Sequence, residues 1–378
     1  IPGHGCLAIF DALRDRAQKN KIKYIQVMQE MDAVYIADGY YRATGKPLAI
    51  LTSIGPGSLN TIIGLATAFV DSTPALVIMG DAHTNMKGVG VLQEIERKQD
   101  SDILSCFKPV TKRCWRAENV KQLPKIMQRA FSLMSGGRKG PVALAVPMDI
   151  QAKAADVNLN AYGGDGLNNK ILASAAEISK ACDLMKTAKR PVIVAGGGVL
   201  YSRAYKQLQE LAEHWGAAVI TTMAGKGCFP ENHYLYGWHG GSKGTDIGNY
   251  LCRNADVILA LGCRFADETT SSYRKGVTYN FPDTKLIHVD IDPSEIGKNY
   301  PCDVGIIGDV AAVMPQLLEG LKDIDFTVKR QEYIKEISKH KENWLRKLND
   351  FSQRAEGITI SKFFKLFRKA YPTDGYIV

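Results

Sequence analysis

Short apolar runs alternate with stretches of helical periodicity along most of the chain. Residues 47–53 (PLAILTS) form one such run, which ends at Gly55-Pro56-Gly57 and opens into a helical pattern over 58–70. Residues 74–79 form a second run, ending at Gly80-Asp81, and residues 141–146 a third. Runs of this length without polar alternation fit strands buried on both faces, and the helical stretches between them predict a parallel sheet covered on each side. The polar, glycine-rich stretch 158–169 (NLNAYGGDGLNN) then interrupts the pattern and reads as a linker. A second series follows, with strands predicted at 191–195, 217–222, 256–261 and 285–290, a short one at 304–307, and a helix over 203–214. Residues 326–355 are charged and helical, without a strand signal, and read as a connector. The expected organisation is therefore two doubly wound α/β domains, at 1–155 and 171–325, joined by a linker at 156–170. A helical connector at 326–355 and the start of a third, truncated domain at 356–378 would follow. The abrupt first and last residues suggest a fragment.

Composition changes this picture little. The 378 residues are 45% hydrophobic and 23% charged, enough to bury sizeable cores. No apolar run reaches the ~18 residues a membrane-spanning helix needs, so no membrane partner is expected. The net charge is +9, with much of the excess in the helical stretches 329–347 and 362–369. These charges read as solvated helical faces, and no nucleic-acid partner is expected. The eight cysteines lie scattered, with no C-x-x-C pair. They predict reduced thiols in a cytoplasmic protein and no metal site built from cysteine.

Two segments carry candidate chemistry. In residues 26–45 (QVMQEMDAVYIADGYYRATG), Glu30, Ala33, Ala37 and Tyr40 or Tyr41 share one helical face. A lone glutamate on a surface helix is ordinarily a solvated edge. On a face of small residues fit for tight packing, it is expected to be partly desolvated and able to share a proton with a nitrogen heterocycle. The second segment is residues 52–60 (TSIGPGSLN). Its Gly-Pro-Gly turn lets backbone approach a flat ligand closely, and Asn60 can present an amide one turn into the helix. Alone, such a turn is a plain strand-to-helix connection.

Together the segments resemble the pyrimidine-binding domain of thiamine-diphosphate-dependent enzymes of the acetolactate-synthase type. The resemblance rests on Glu30, Asp38-Gly39-Tyr40, Thr52, Gly55-Pro56-Gly57 and Asn60, with one extra residue between Thr52 and Gly55, so that Ser53 can take the threonine's place. It extends through Gln93-Glu94, 108–112 (KPVTK) and 138–147 (RKGPVALAVP). It continues through 190–198, 225–230, 261–265 and 288–297, which resemble that family's Rossmann-like central domain. The resemblance implies a carboligase or decarboxylase acting on 2-oxo acids. Glu30 would hydrogen-bond the aminopyrimidine ring and so help the cofactor lose its thiazolium proton. Gly55, Pro56, Gly57 and Asn60 would line the cofactor, and Gln93 would face the reacting centre. It also implies a homodimer or homotetramer. The diphosphate and Mg2+ would be held by a Gly-Asp-Gly…Asn motif that these residues do not contain.

The sequence departs from the pattern in four places. Gln29 stands where the family usually has histidine. His4, in Pro2-Gly3-His4-Gly5, stands where acetolactate synthases usually have glycine, which makes His4 a candidate catalytic or substrate-binding residue. Related enzymes that hydrolyse cyclic 1,2-diones carry a similar Gly-His-Gly and also resemble residues 264–271 (RFADETTS), so a C–C hydrolase is an alternative. A non-catalytic nucleotide-binding relative is another. Acetolactate synthases hold a non-redox FAD against the central domain. Here Glu268 replaces an arginine near the expected pyrophosphate, and Gly196-Gly197-Gly198 lacks a third fingerprint glycine at Tyr201. Both favour a domain that keeps its fold without FAD.

Overall fold

The computed structural model describes residues 2–19, 22–96, 102–162, 170–353 and 357–375. The chain divides into two compact units, Ile1–Asn169 and Lys170–Val378.

The first unit is a four-stranded sheet of β1 (Leu48–Thr52), β2 (Ala75–Asp81), β3 (Arg113–Arg116) and β4 (Val142–Pro147). Every pairing is parallel and the order is β1-β2-β4-β3. Around it lie α1 (Leu7–Gln18), α2 (Glu30–Thr44), α3 (Pro56–Leu59), α4 (Ile62–Val70), α5 (Ile103–Phe107), α6 (Leu123–Ser135) and α7 (Met148–Gln151). Strand β4 is buried at all six positions, as a central parallel strand with both faces covered requires. Helices α2 and α4 cross closely because Gly64 has no side chain: a Cβ there would meet Val34 Cβ at 2.7 Å. Val34, Ala37 and Tyr41 form the buried stripe of α2. Burying a side chain such as Val34 contributes about 2 kcal/mol.

The second unit is a six-stranded sheet. Its strands are β5 (Pro191–Ala195), β6 (Ala218–Thr221), β7 (Tyr236–His239), β8 (Val257–Leu261), β9 (Lys285–Asp290) and β10 (Val304–Ile307). They pair in parallel in the order β10-β9-β8-β5-β6-β7. Helices α8 (Ala175–Thr187), α9 (Gly197–Tyr201), α10 (Tyr205–Trp215), α11 (Asp246–Arg253) and α12 (Val310–Leu321) complete it. The α/β class and the two parallel sheets are those expected from the apolar pattern.

Several details differ from that expectation. The helix expected over 58–70 is two pieces, α3 and α4, because the Thr61 N–H bonds the Ser58 carbonyl at 3.0 Å and tightens the turn at Asn60. The helix expected from 203 begins at Tyr205, since Arg203 has a φ of 52°. Strands β3 and β7 were not expected. The stretch 326–355 contains α13 (Thr327–Gln353), which buries Arg330, Tyr333 and Ile337 in the second unit. That spacing is one stripe of an amphipathic helix. Arg190 at the start of β5 forks onto Glu336 of α13 at 2.5 and 2.6 Å, and Tyr250 of α11 donates to the same carboxylate at 2.9 Å. Part of the linker stretch, 163–169, lies outside the described residues, as do 356 and 376–378. Within 357–375 the chain forms α14 (Ile360–Ala370).

Candidate functional site

In open parallel sheets, ligands bind beyond the carboxyl ends of the strands. The sequence-predicted residues gather at that end of β1. Gly55 follows the strand with a φ of 61° and is the N-cap of α3, with Pro56 as its first residue. Ser53 and Thr52 are buried, and the Ser53 carbonyl gathers the hydroxyls of the turn. The Ser58 hydroxyl donates to the Ser53 carbonyl at 2.5 Å, and the Thr52 hydroxyl donates to the same oxygen at 3.3 Å.

Glu30 is the first residue of α2, after Gln29 in an extended conformation. A carboxylate there lies in the favourable field of the helix N-terminus. Glu30 is half-buried. The Asn60 amide donates to its Oε2 at 2.7 Å. Its Oε1 lies beside Gly57, where an added Cβ would touch it at 3.4 Å. The glycine therefore keeps open the space alongside one carboxylate oxygen while Asn60 fixes the other. Such a cradle fits a flat heterocycle presenting a ring nitrogen to Oε1. The Asn60 amide, expected to line the cofactor, donates one of its N–H groups to Glu30.

Two loops close over the same turn. Residues 2–6 seat their backbone on it: Gly5 donates to the Ser53 hydroxyl at 3.2 Å, and a Cβ on Gly3 would collide with Ser53 at 2.5 Å. His4, between these glycines, is exposed at this end of the sheet. Gln93 is exposed with a φ of 65°, and its carbonyl packs on Gly55, where a Cβ would meet it at 1.9 Å.

Sequence reasoning missed the charged cluster at the ends of β2 and β3. Arg116 donates to Asp81 at 2.5 Å, to Glu96 at 3.2 Å and to Asp102 at 2.9 Å. Burial acts against the guanidinium's charge, but the hydrogen bonds and charges of Asp81 and Asp102 outweigh it and hold its pKa above the ordinary value. Asp149 likewise accepts from the Thr84 N–H and hydroxyl, both at 2.9 Å, and from Lys153 at 3.2 Å. Partial burial opposes its ionisation, but these bonds prevail and lower its pKa to about 2. Thr84 lies 65 positions from Asp149, and Arg116 lies 14 to 35 positions from its partners, so no local signal announced either cluster.

In the second unit, the glycines of the segments 190–198 and 225–230 lie in close backbone packing. A Cβ on Gly196 would meet the Gly262 carbonyl at 2.1 Å, and one on Gly225 the Ala195 carbonyl at 2.2 Å. Phe265 is buried edge-on against Tyr279, Phe281, His288 and Tyr300. Glu268 is ion-paired with Lys243 at 2.8 Å. These contacts account for the glycines and for Phe265 by packing alone. The pairing also corrects the simple like-charge reading of Glu268, because Lys243 supplies a compensating cation.

With the geometry in view, the chain belongs to the thiamine-pyrophosphate-dependent enzymes. Residues 1–101 match the thiamine pyrophosphate enzyme N-terminal TPP binding domain, and residues 178–317 match the thiamine pyrophosphate enzyme central domain. Within that class its similarity is to acetolactate synthases. It is 35% identical to a probable acetolactate synthase large subunit of Methanocaldococcus jannaschii over 356 residues, 93% of this chain and 56% of that protein. It is 32% identical to the acetolactate synthase large subunit of Buchnera aphidicola subsp. Schizaphis graminum, over 100% of this chain and 64% of that protein. Against the acetolactate synthase isozyme 3 large subunit of Escherichia coli the identity is 34%, over 84% of this chain and 54% of that protein. The chain thus spans little more than half to about two thirds of the length of these relatives.

Proposed function

We propose that this chain contributes the pyrimidine side of a thiamine-diphosphate site in a carboligase or decarboxylase of 2-oxo acids, of the acetolactate-synthase type. The observation that carries the proposal is the Glu30 carboxylate, fixed by Asn60 on one oxygen and left open beside Gly57 on the other. Thiamine diphosphate, when bound, supplies a carbon nucleophile and an electron sink for making or breaking the bond next to a carbonyl. The protein's part is placement and proton affinity. Glu30 holds or releases a proton at Oε1. Gly55, Pro56 and Gly57 give a flat ring access, and Asn60 keeps the carboxylate from turning away. Gln93 and His4 are proposed to face the substrate. Magnesium and the diphosphate end are proposed to lie in the part of the relatives' length that this chain does not span. FAD is not part of the proposal.

An oligomer is proposed as well. The outer faces of α2 and α4 expose Tyr35, Ile36, Tyr40, Ile63 and Val70, and the segment before α2 exposes Tyr24, Ile25 and Met28. An apolar surface of this extent suits a protein–protein interface. A cytoplasmic location is proposed from the eight free cysteines. Among the described residues, no helix is long and apolar enough to cross a membrane. The segment that resembles cyclic-dione hydrolases is held by core packing of Phe265 and the Lys243–Glu268 pair, so no observation favours the hydrolase. None favours a non-catalytic relative either.

The test is an assay of the full-length protein with thiamine diphosphate and magnesium. Pyruvate should be consumed with release of carbon dioxide and formation of a new C–C bond. Hydrolysis of a cyclic 1,2-dione with no turnover of pyruvate would contradict the proposal.

A further inference from the structure

The loop that carries Gln93 has little regular structure, yet its backbone is closed on itself by one side chain. Glu94 is 6% exposed. Its Oε1 accepts the Gly88 N–H, and its Oε2 accepts the N–H groups of Gly90 and Val91, each at 3.1 Å. The Glu94 N–H in turn donates to the Val91 carbonyl at 3.0 Å. The ring needs left-handed backbone at three places, and Gly88, Gly90 and Gln93 have φ values of 79°, 89° and 65°. For glycine that conformation costs nothing special, but for glutamine it is strained and persists only where its surroundings impose it. The constraint has a visible consequence, because the Gln93 carbonyl is pressed onto Gly55, the residue that starts the turn carrying Gly57 and Asn60.

We propose that Glu94 is a positioning residue: its buried carboxylate closes the 88–94 loop, sets the direction of Gln93, and through the Gln93 carbonyl braces the Gly55–Asn60 turn beside Glu30. Two oxygens are needed, because three N–H groups converge on them. A glutamine at 94 keeps the shape but offers one acceptor and turns an NH2 toward at least one of these N–H groups. A buried donor left unmatched is costly, and hydrogen bonds to a charged acceptor are the strong ones. A second carboxylate anchors the loop's far end, since Glu96 accepts from the Ile103 N–H and from Arg116, each at 3.2 Å.

The proposal rests on the reading of Glu30 and Gln93 as site residues, so its test uses one readout that does not depend on activity. In the full-length protein, hydrogen–deuterium exchange is followed in peptides covering 83–96 and 54–60 for wild type, Glu94→Gln and Glu94→Asp. Exchange in both segments should rise by about tenfold or more in Glu94→Gln, the scale of one lost charge-assisted hydrogen bond. It should rise less in Glu94→Asp, which keeps both oxygens, while the peptide covering β4 stays at the wild-type rate. With a 2-oxo acid substrate, kcat should fall in the same order with the thermal midpoint nearly unchanged. Faster exchange confined to 83–96, with 54–60 and kcat unmoved, would reduce Glu94 to a loop staple and overturn the proposal. Unchanged exchange in both segments would overturn it outright. A wild-type protein inert toward 2-oxo acids would refute the functional reading, while the exchange coupling between the two segments would still decide the role of Glu94.

Discussion

Replacing Asn60 by aspartate would place a second carboxylate where an amide donor now sits 2.7 Å from Glu30 Oε2. Two unit charges ~4 Å apart repel by about 1 kcal/mol in water and about 4 kcal/mol at an effective dielectric of ~20. Glu30 is half-buried and Asn60 exposed, so the cost lies toward the lower end, at ~1–2 kcal/mol. The donated hydrogen bond, about 1 kcal/mol at such an exposed position, is lost as well. The sum, about 2–3 kcal/mol, corresponds to roughly 30- to 150-fold weaker binding of a ligand that depends on the placement of Glu30. Asn60→Ala loses only the hydrogen bond and should weaken binding by about fivefold. The assay is calorimetric titration of the full-length protein with thiamine diphosphate at saturating magnesium, alongside thermal unfolding. Asn60→Ala should unfold near the wild-type midpoint, because Asn60 is exposed, whereas Asn60→Asp should unfold somewhat lower, because the repulsion from Glu30 acts in the ligand-free fold as well. Equal affinities for Asn60→Asp and wild type would refute the argument that Asn60 sets the carboxylate.

Two further outcomes follow from the geometry. Asp149 has a folded pKa lowered to about 2 from the usual 3.8, so its contribution to stability is fully present above about pH 4 and is lost as the pH falls through 2. The difference in thermal midpoint between wild type and Asp149→Asn should therefore be constant above pH 4 and shrink below it, and a difference independent of pH would contradict the Thr84 tether. Ile63 is 63% exposed on the outer face of α4, so Ile63→Glu should leave the fold intact and shift the full-length protein toward monomers by roughly tenfold or more in sedimentation, which an unchanged distribution would contradict.

How much the sequence revealed depended on the range of the interactions. Strands β4, β5 and β8, and β2 up to Met79, are unbroken apolar runs because both of their faces are covered, and such runs are plain in the chain. Strand β3 is Arg113-Cys114-Trp115-Arg116, a four-residue edge strand, and β7 is an equally short edge strand with a glycine inside, so neither carries an apolar signature. Glu30 and Asn60 were both singled out, each by its own motif, but their hydrogen bond joins residues thirty positions apart and required the fold. Of the face expected to hold Glu30, Ala33, Ala37 and Tyr40 or Tyr41, Ala37 and Tyr41 are buried, and Val34 rather than Ala33 completes the stripe. Glu268 was read from the arginine it replaces, and nothing local hints at its partner Lys243. The clamp at Glu94 was hidden for a different reason, since its partners are backbone N–H groups and leave only two glycines as a trace.

The central claim is that Glu30 controls proton removal from the cofactor. Its most direct test is the rate of exchange of the thiazolium C2 proton of thiamine diphosphate bound to the full-length protein, followed by NMR after quenching, in wild type and in Glu30→Gln. Glutamine keeps the size of the side chain but cannot share a proton in the same way, so exchange should slow by at least about a hundredfold, the usual weight of a positioned acid–base group. Exchange within a factor of two of wild type, in a Glu30→Gln protein that still binds the cofactor, would contradict the account.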